Sequence, residues 1–440
     1  MRLDSIYIKN FRCFEEREIG LHNQMTLFVG KNGAGKTTLL DAIAVSVSTF
    51  LNGIDGGSSR NIQKEDARYH FYEMQGVVDP QSQFPVVIAG KGECAGKKHL
   101  EWTRSLNSSN GKTTIKEASQ LTEVAREMQY KVMSGDASVI LPILSYYGTG
   151  RLYAQKKEKR NKSNLQKFNR QVGYVDCMAA ESNEKLMLNW FEKMTLKSLL
   201  NQQKTGKTEK MPQLQVVESA MAFCFERVSG AEKVEFSFDL DTHRLIIEYS
   251  EKDEKRCRFP LDEMSDGYKN TLSMVADIAY RMALLNPQLG IEVLKKTPGI
   301  VLIDEVDLHL HPQWQQSILN DLQELFPEVQ FIVTSHAPAV IHSADRECIR
   351  ILDHGNVYMP SAQTYGRDAN SILREIMQVG ERPQQVQELL NEFYRLIDLG
   401  KTAEAEQKLT EIEQIIGDTD PEVSGAKVTL DFEKMQKESK

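Results

Sequence analysis

FVGKNGAGKTT, residues 28–38, carries glycines, a lysine and a threonine in the spacing GxxxxGK(S/T). The glycines let successive backbone N–H groups turn inward and surround phosphate oxygens. The lysine supplies a positive charge near the β- and γ-phosphates, and the next hydroxyl is placed to hold Mg²⁺. The motif predicts a nucleoside triphosphate site whose binding residues are Gly30, Lys31, Asn32, Gly33, Ala34, Gly35, Lys36, Thr37 and Thr38.

The flanking residues predict a strand that leads through this loop into a helix. Residues 25–29 are a short apolar run, and apolar residues recur at helical spacing from Leu39 to Val47. The loop should therefore lie at a helix N-terminus, whose partial positive charge favours bound anions. Thr37, the first hydroxyl after the lysine, is the metal ligand predicted on this side.

Composition excludes several classes of protein. A chain of 440 residues can form two or three compact units, and its net charge of -8 argues against unspecific coating of nucleic acid while leaving room for a local basic groove. The six cysteines contain no CxxC pair, so neither a zinc site nor a disulfide framework is indicated. No apolar run approaches the roughly 18 residues that span a bilayer, and the N-terminus has no signal-peptide core. We therefore expect a cytoplasmic protein with no membrane partner.

Two adjacent acids complete the predicted site. Residues 299–303, GIVLI, predict a strand buried on both faces of a parallel sheet. Asp304 and Glu305 follow at its carboxyl end, where open α/β sheets place their ligands. We expect Asp304 to hold Mg²⁺ together with Thr37. Glu305 is the candidate base, or water-orienting group, for attack on the γ-phosphate. A solvated strand end is the alternative for this acid pair.

A histidine follows the next apolar strand. FIVTSHAP places His336 where it can hydrogen-bond the γ-phosphate or the attacking water, and so distinguish ATP from ADP. A buried structural histidine is the alternative. Two further histidines, His309 and His311, leave a separate zinc site as another alternative.

The pattern of elements predicts an α/β fold in four parts. Residues 1–151 form a first half with the P-loop, and residues 152–212 a basic, helical insertion. Residues 213–376 form a second half with the acid pair and the histidine, and residues 377–440 a helical C-terminal region. Within these parts we expect a strand at residues 112–115, one helix over residues 314–325, and a helical hairpin over residues 383–416.

Five motifs, in this order, resemble those of the ABC-type ATPases of the RecF/SMC branch. They are KNFRCF (9–14), GKNGAGKT (30–37), LDEMSDGYKN (261–270), IVLIDEVDLHLHP (300–312) and VTSHAP (333–338). The resemblance implies an ABC-type P-loop ATPase head with a mixed central sheet, a flanking antiparallel sheet and helices. It also implies ATP and Mg²⁺ as cofactors and ATP hydrolysis as the activity.

The resemblance further implies that nucleotide is bound between two head-to-tail subunits. Ser265 and Gly267 match the signature motif, which binds the γ-phosphate of the nucleotide held by the opposing subunit. Asp307 matches the segment that crosses the subunit interface, and Arg12 in KNFRCF is assigned to nucleotide binding. A simple helix N-cap is the alternative for Ser265.

The sequence departs from this family at one position. No glutamine-loop residue is found, and the strand that should precede one is followed by Thr149 and Arg151 instead. Slow or regulated hydrolysis is therefore plausible.

A closer resemblance is to the ATPases of Septu antiphage defence systems. It rests on LPILSYYGTGRL (141–152), DEVDLHLHPQWQ (304–315) and YGRDANSILREIMQVGERP (365–383). It implies a separate HNH nuclease as partner, and the hairpin at residues 383–416 is the candidate docking element. Two alternatives remain: a RecF-like repair ATPase that contacts DNA through the basic stretch Lys156–Arg170, and a nucleotide-sensing scaffold with little turnover.

Overall fold

The computed structural model describes residues 1–74, 77–152, 170–179, 184–206, 210–251, 255–377, 380 and 382–438. Two compact units divide the chain, Met1–Arg367 and Asp368–Lys440. The strands are β1 Arg2–Phe11, β2 Phe14–Gly20, β3 Met25–Val29, β4 Tyr69–Met74, β5 Val77–Ser82, β6 Val86–Cys94, β7 Lys97–Leu106, β8 Ile143–Tyr147, β9 Glu232–Asp239, β10 Arg244–Ser250, β11 Arg256–Pro260, β12 Gly299–Ile303, β13 Val329–Thr334, β14 Ile349–Asp353 and β15 Asn356–Tyr358.

Thirteen α-helices are assigned within the described residues. They are α1 Lys36–Val47, α2 Ser119–Met133, α3 Glu184–Thr205, α4 Pro212–Ser229, α5 Asp266–Leu285, α6 Val293–Lys296, α7 Pro312–Gln315, α8 Ile318–Leu325, α9 Pro338–Ile341, α10 Ala369–Glu375, α11 Gln384–Asp398, α12 Thr402–Ile416 and α13 Pro421–Glu438.

A six-stranded sheet forms the centre of the first unit. Its order is β15-β14-β3-β13-β12-β8, and only β15 runs antiparallel to its neighbour. Every residue of β3, β8, β12 and β13 is buried, as expected for parallel strands covered on both faces. At Gly299 the backbones of β12 and β8 approach so closely that a Cβ would lie 2.0 Å from the Ile143 carbonyl oxygen.

Antiparallel sheets accompany this centre. One has the order β2-β1-β6-β7, another has the order β11-β10-β9, and β4 and β5 form a hairpin. The mixed central sheet, the antiparallel sheet and the helices confirm the fold class expected from the sequence.

Two local expectations are wrong. Residues 112–115 form no strand. The helix expected over residues 314–325 is two helices, α7 and α8, with a break at Gln316 and Ser317. The basic stretch expected within the insertion lies outside the described residues except for Arg170.

The second unit contains the expected helical hairpin, α11 and α12, together with α10 and α13. Residues of α13 complete the core of this unit, which consists of Val386, Leu390, Phe393, Leu396, Ile397, Ala405, Leu409, Ile412, Val423, Ala426 and Leu430. The hairpin thus belongs to a three-helix core. The four-part division of the chain stays a prediction.

Candidate nucleotide site

Strand register brings the predicted site residues to one edge of the central sheet. Ile303 of β12 lies opposite Val333 of β13 and Tyr147 of β8, and Val333 lies opposite Leu27 of β3. Parallel strands in this register end together. The P-loop after β3, the acid pair after β12 and His336 after β13 therefore emerge side by side.

The P-loop requires glycine at its two ends. Gly35 caps α1 with a left-handed φ of 100°, and a Cβ there would lie 2.6 Å from Sγ of Cys13. At Gly30 a Cβ would lie 2.4 Å from the Leu352 carbonyl oxygen in β14. A larger residue at either position would collide with a neighbouring strand or loop, so the loop is held by the sheet beneath it.

Lys36 is buried within this loop. Its Nζ donates to the carbonyl oxygens of Gly30 at 2.9 Å and Lys31 at 3.2 Å. Burial lowers the pKa of Lys36, while the carboxylates of Asp304, Glu305 and Asp307 act in the opposite direction. The ammonium group is thus positioned within a region of negative charge.

Asp304 is the most enclosed carboxylate of the site, with 1% of its surface exposed. Thr37 donates its hydroxyl to one carboxylate oxygen at 2.7 Å, and Thr334 donates to the other at 2.6 Å. The Thr334 oxygen also accepts the backbone N–H of Glu305 at 2.7 Å. One hydroxyl at the end of β13 therefore holds both members of the acid pair, a role that the sequence analysis did not assign.

Glu305 adopts an unusual backbone conformation, with φ of 49°. Non-glycine residues in this region carry steric strain and are found where surrounding contacts determine the backbone. Here the Thr334 hydroxyl fixes the N–H of Glu305, and the Thr334 carbonyl accepts the N–H of Val306 at 2.9 Å. The turn sets the direction in which the Glu305 carboxylate leaves the sheet.

These groups line one cavity of about 260 Å³. Its lining consists of Arg12, Cys13, Asn32, Gly33, Gly35, Lys36, Thr37, Thr38, Asp304, Glu305 and His336. Of the predicted P-loop residues, Gly30, Lys31 and Ala34 are not among the lining residues.

His336 shares this cavity. Burial, and next the positive charge of Lys36, lower the pKa of the imidazole, whereas Asp307 and Asp304 act in the opposite direction. The ring is therefore neutral at pH 7, and a neutral imidazole can either donate or accept a hydrogen bond.

Comparisons with known proteins identify related domains and ATPases. Residues 5–222 match a family model described as an AAA domain, and residues 203–342 match one described as an AAA domain, putative AbiEii toxin, Type IV TA system. The chain is similar to the retron Ec83 probable ATPase of Escherichia coli, with 25% identity over 90% of this chain and 80% of the relative. It is also similar to the retron Vc95 probable ATPase of Vibrio cholerae, with 24% identity over 91% of this chain and 84% of the relative.

Septu protein PtuA of Bacillus thuringiensis is similar over a shorter stretch. It is 30% identical over 34% of this chain and 39% of the relative. The chain is an ATPase that matches AAA-domain models and is similar to retron and Septu ATPases. The assignment of ATP binding to the P-loop, and of hydrolysis to the acid pair, stays a prediction.

Arg12 lines the cavity of the ATPase but is already engaged. Its guanidinium donates to Asp41 at 2.7 Å and to Asp66 at 2.8 Å. Although burial opposes the charged form, these two carboxylates raise the pKa of Arg12. Asp41 and Asp66 were not singled out from the sequence, because an isolated acid on a helix or in a loop gives no sign of its partner. The assignment of Arg12 to nucleotide stays a prediction.

The signature residues are not part of this cavity. Ser265 is exposed at the N-cap position of α5, and its hydroxyl makes no capping hydrogen bond. Gly267 lies against the loop after the acid pair, where a Cβ would be 2.4 Å from the His309 carbonyl oxygen. In that same loop, the buried Oδ1 of Asp307 has no hydrogen-bond partner among the described residues.

The structure also describes the two histidines of the zinc-site alternative, His309 and His311. His311 caps α7 by accepting the N–H of Gln313 at 3.3 Å, and His309 is exposed. Within the described part of the chain, no group of three His, Cys, Asp or Glu residues is placed to hold a metal ion by itself. None of the helices described here is long and apolar enough to cross a membrane.

Replacing Thr334 by valine should lower the rate of ATP hydrolysis about 10- to 100-fold, a typical effect of removing a group that orients a ligand. The valine keeps the shape but cannot hold Asp304 or the N–H of Glu305. ATP binding should persist, since the P-loop is unchanged. Phosphate release and equilibrium nucleotide binding measure the two effects. Thr334→Ser retains the hydroxyl and should hydrolyse ATP near the wild-type rate; equal rates for Thr334→Val and wild type would contradict this role.

The pKa of His336 should lie below the ordinary histidine value of 6.5. Replacing Lys36 by methionine should raise it, because a neighbouring positive charge is removed. Histidine ¹³C–¹H NMR titration without nucleotide or Mg²⁺ measures this value, and His336→Asn assigns the resonance. An unchanged His336 pKa in Lys36→Met would contradict the inferred electrostatic effect of Lys36 on the imidazole.

Proposed function

We propose that this ATPase is the regulatory subunit of a two-component antiphage defence system. It binds ATP and Mg²⁺ between two head-to-tail copies and thereby controls a separate HNH nuclease. Similarity to retron ATPases along nearly the whole chain, and to a Septu protein over a third of it, supports the assignment to defence. Nucleotide-dependent association is the step that links ATP to the nuclease.

The position of the signature residues supports a nucleotide site shared between two copies. Ser265 is exposed, does not cap its own helix, and is not among the lining residues of its own P-loop cavity. A hydroxyl at a helix N-terminus is suited to bind an anion. Asp307, with its unpaired buried oxygen, lies in the loop against which the signature helix packs. A second copy would bring its Ser265 to this copy's nucleotide.

The residues at the acid pair fit Mg²⁺. Thr37 and Asp304 present a hydroxyl and a carboxylate in direct contact, and hard oxygen ligands of this kind are those that Mg²⁺ prefers. Thr37 and Asp304 would hold the ion, which would neutralise charge on the phosphates. Lys36 adds a fixed positive charge at the P-loop, Glu305 orients or deprotonates water, and His336 offers a neutral hydrogen-bonding group at the same cavity.

Mixing two inactive variants tests the shared site. Lys36→Ala removes the phosphate lysine, and Ser265→Arg blocks the signature surface, so each variant alone should lose hydrolysis. An equal mixture should recover roughly a quarter of the wild-type rate, since half of the dimers are mixed and each carries one intact site of two. Phosphate release after subunit exchange measures this.

A matched mixture supplies the control. Here Lys36→Ala is mixed with Glu305→Gln, and both substitutions lie on the P-loop side of a shared site. Each subunit of a mixed dimer then has a defective P-loop side, so no site is intact and the rate should stay at background. Full activity of Ser265→Arg alone would exclude the shared site. Phosphate release by Glu305→Gln at the wild-type rate would instead favour a nucleotide-sensing scaffold.

Docking of the nuclease should depend on the hairpin α11–α12. Leu399 and Ile415 are large apolar residues on this hairpin with 63% and 56% of their surfaces exposed. The double substitution Leu399→Glu/Ile415→Glu should abolish both co-purification of the proposed HNH nuclease partner and protection against phage. Val428→Glu, at an equally exposed site on α13, should preserve both. If the nuclease still co-purifies with both variants, the hairpin is not the docking element. Phage protection in a Lys36→Ala strain would exclude nucleotide control.

A further inference from the structure

A buried polar chain connects the central sheet with the signature helix α5. Tyr147, the last residue of β8, donates its hydroxyl to Oδ2 of Asp277 at 2.8 Å. Arg281, one turn further along α5, donates its Nε to the same oxygen at 2.7 Å. Tyr147 is 7% exposed and Arg281 is 6% exposed, so both contacts form away from water. Hydrogen bonds to charged groups are stronger and more directional under these conditions.

Tyr147 also contacts the acid pair through its backbone. Its carbonyl oxygen accepts the N–H of Asp304 at 2.8 Å, continuing the pairing of β8 with β12. The same residue therefore touches the metal-binding acid with its main chain and the signature helix with its side chain. A displacement at the end of β12 shifts the peptide of Tyr147, and its hydroxyl carries that shift to Asp277.

The far end of α5 is held by a second set of contacts. Residues 170–178, which we call the strap, lie against this end of the helix. Arg281 donates to the carbonyl oxygens of Gly173 and Val175, each at 2.9 Å, and Arg170 of the strap donates to the Leu285 carbonyl oxygen at 2.6 Å. The strap therefore grips the C-terminal end of α5.

Within this polar chain, Arg281 stays charged and Tyr147 stays protonated. Burial disfavours the cation of Arg281, but the carboxylate of Asp277, then Tyr147, raise its pKa above the ordinary arginine value. Burial, followed by the charge of Asp277, raises the pKa of Tyr147, so the phenol stays protonated and donates. The connection is thus present throughout the physiological pH range.

We propose that Tyr147, Asp277 and Arg281 are positioning residues that couple the acid pair of one subunit to the signature surface of the same subunit. They take the place of the glutamine loop that the sequence lacks. Asp277 lies twelve residues along α5 from Ser265, about 18 Å at the rise of an α-helix. Helix α5 acts as a rigid lever between the buried polar chain at Asp277 and Ser265, which faces the nucleotide of the other copy. This inference rests on the proposed head-to-tail association.

A coupling role and a purely structural role differ in what they change. A structural hydrogen bond contributes to stability alone. A coupling bond also links the two nucleotide sites of the dimer, because each subunit's acid pair then controls the signature surface that serves the other site. Loss of the bond should therefore reduce cooperativity between the sites while leaving nucleotide binding to the P-loop intact.

Tyr147→Phe is the decisive variant, because it removes the hydroxyl but retains the ring and the carbonyl that Asp304 uses. We expect ATP affinity within about twofold of wild type, kcat lowered roughly tenfold, and a Hill coefficient for hydrolysis that falls towards 1. Tyr174→Phe is the matched control. It removes a buried hydroxyl of the strap that donates to the Pro142 carbonyl at 2.7 Å and not to the Tyr147–Asp277–Arg281 polar chain. It should keep the wild-type Hill coefficient.

Asp277→Asn, alone and combined with Tyr147→Phe, gives an independent measurement. If the two residues act through their mutual hydrogen bond, the double variant should lose no more kcat than the worse single variant. Additive losses, equal losses in Tyr174→Phe, or an unchanged Hill coefficient in Tyr147→Phe would overturn the coupling. A wild-type Hill coefficient of 1, with no recovery in the Lys36→Ala and Ser265→Arg mixture, would overturn the shared site itself and the coupling with it.

Discussion

The carboxylate of Asp304 imposes the main constraint on this protein. An ionised carboxylate that is nearly inaccessible to water is costly unless polar groups surround it. The groups that do so come from separate places in the chain: a hydroxyl from the start of α1 and a hydroxyl from the end of β13. The main chain of Asp304 is held as well, because its N–H donates to the Tyr147 carbonyl of β8. These contacts require the ends of β3, β13, β12 and β8 to be aligned. The register of the central sheet provides that alignment.

Because β12 is buried on both faces, neither the acid pair nor the loop beyond it can move without consequence for its neighbours. Strand β13 stands between the P-loop strand and β12, so its terminal threonine can reach both acids. Strand β8 stands on the other side and connects the sheet with α5. The two neighbours thus have different contacts: β13 holds the acid pair through Thr334, and β8 reaches α5 through Tyr147.

Sequence patterns predict the parts of this arrangement that are local. The P-loop, the buried strands and the long helix after the signature residues follow from spacing and apolar runs. The partners of these residues do not, because Thr37 and Asp304 are 267 residues apart and Tyr147 and Asp277 are 130 apart. Single threonines and aspartates are common in turns, so Thr334 and Asp41 carried no visible signal. Helix α13 lies within the predicted helical C-terminal region but was not delimited as a separate helix, because Ser424, Gly425 and Thr429 weaken its apolar pattern.

The left-handed backbone of Glu305 has an evolutionary consequence. An L-residue in this conformation costs roughly 1–2 kcal/mol relative to glycine, so glycine would suit the fold better at the very position where the proposed chemistry needs a carboxylate. Selection for turnover and selection for stability therefore oppose each other at a single codon. In a lineage released from the need to hydrolyse ATP, this glutamate should be among the first site residues to drift, while the sheet around it persists.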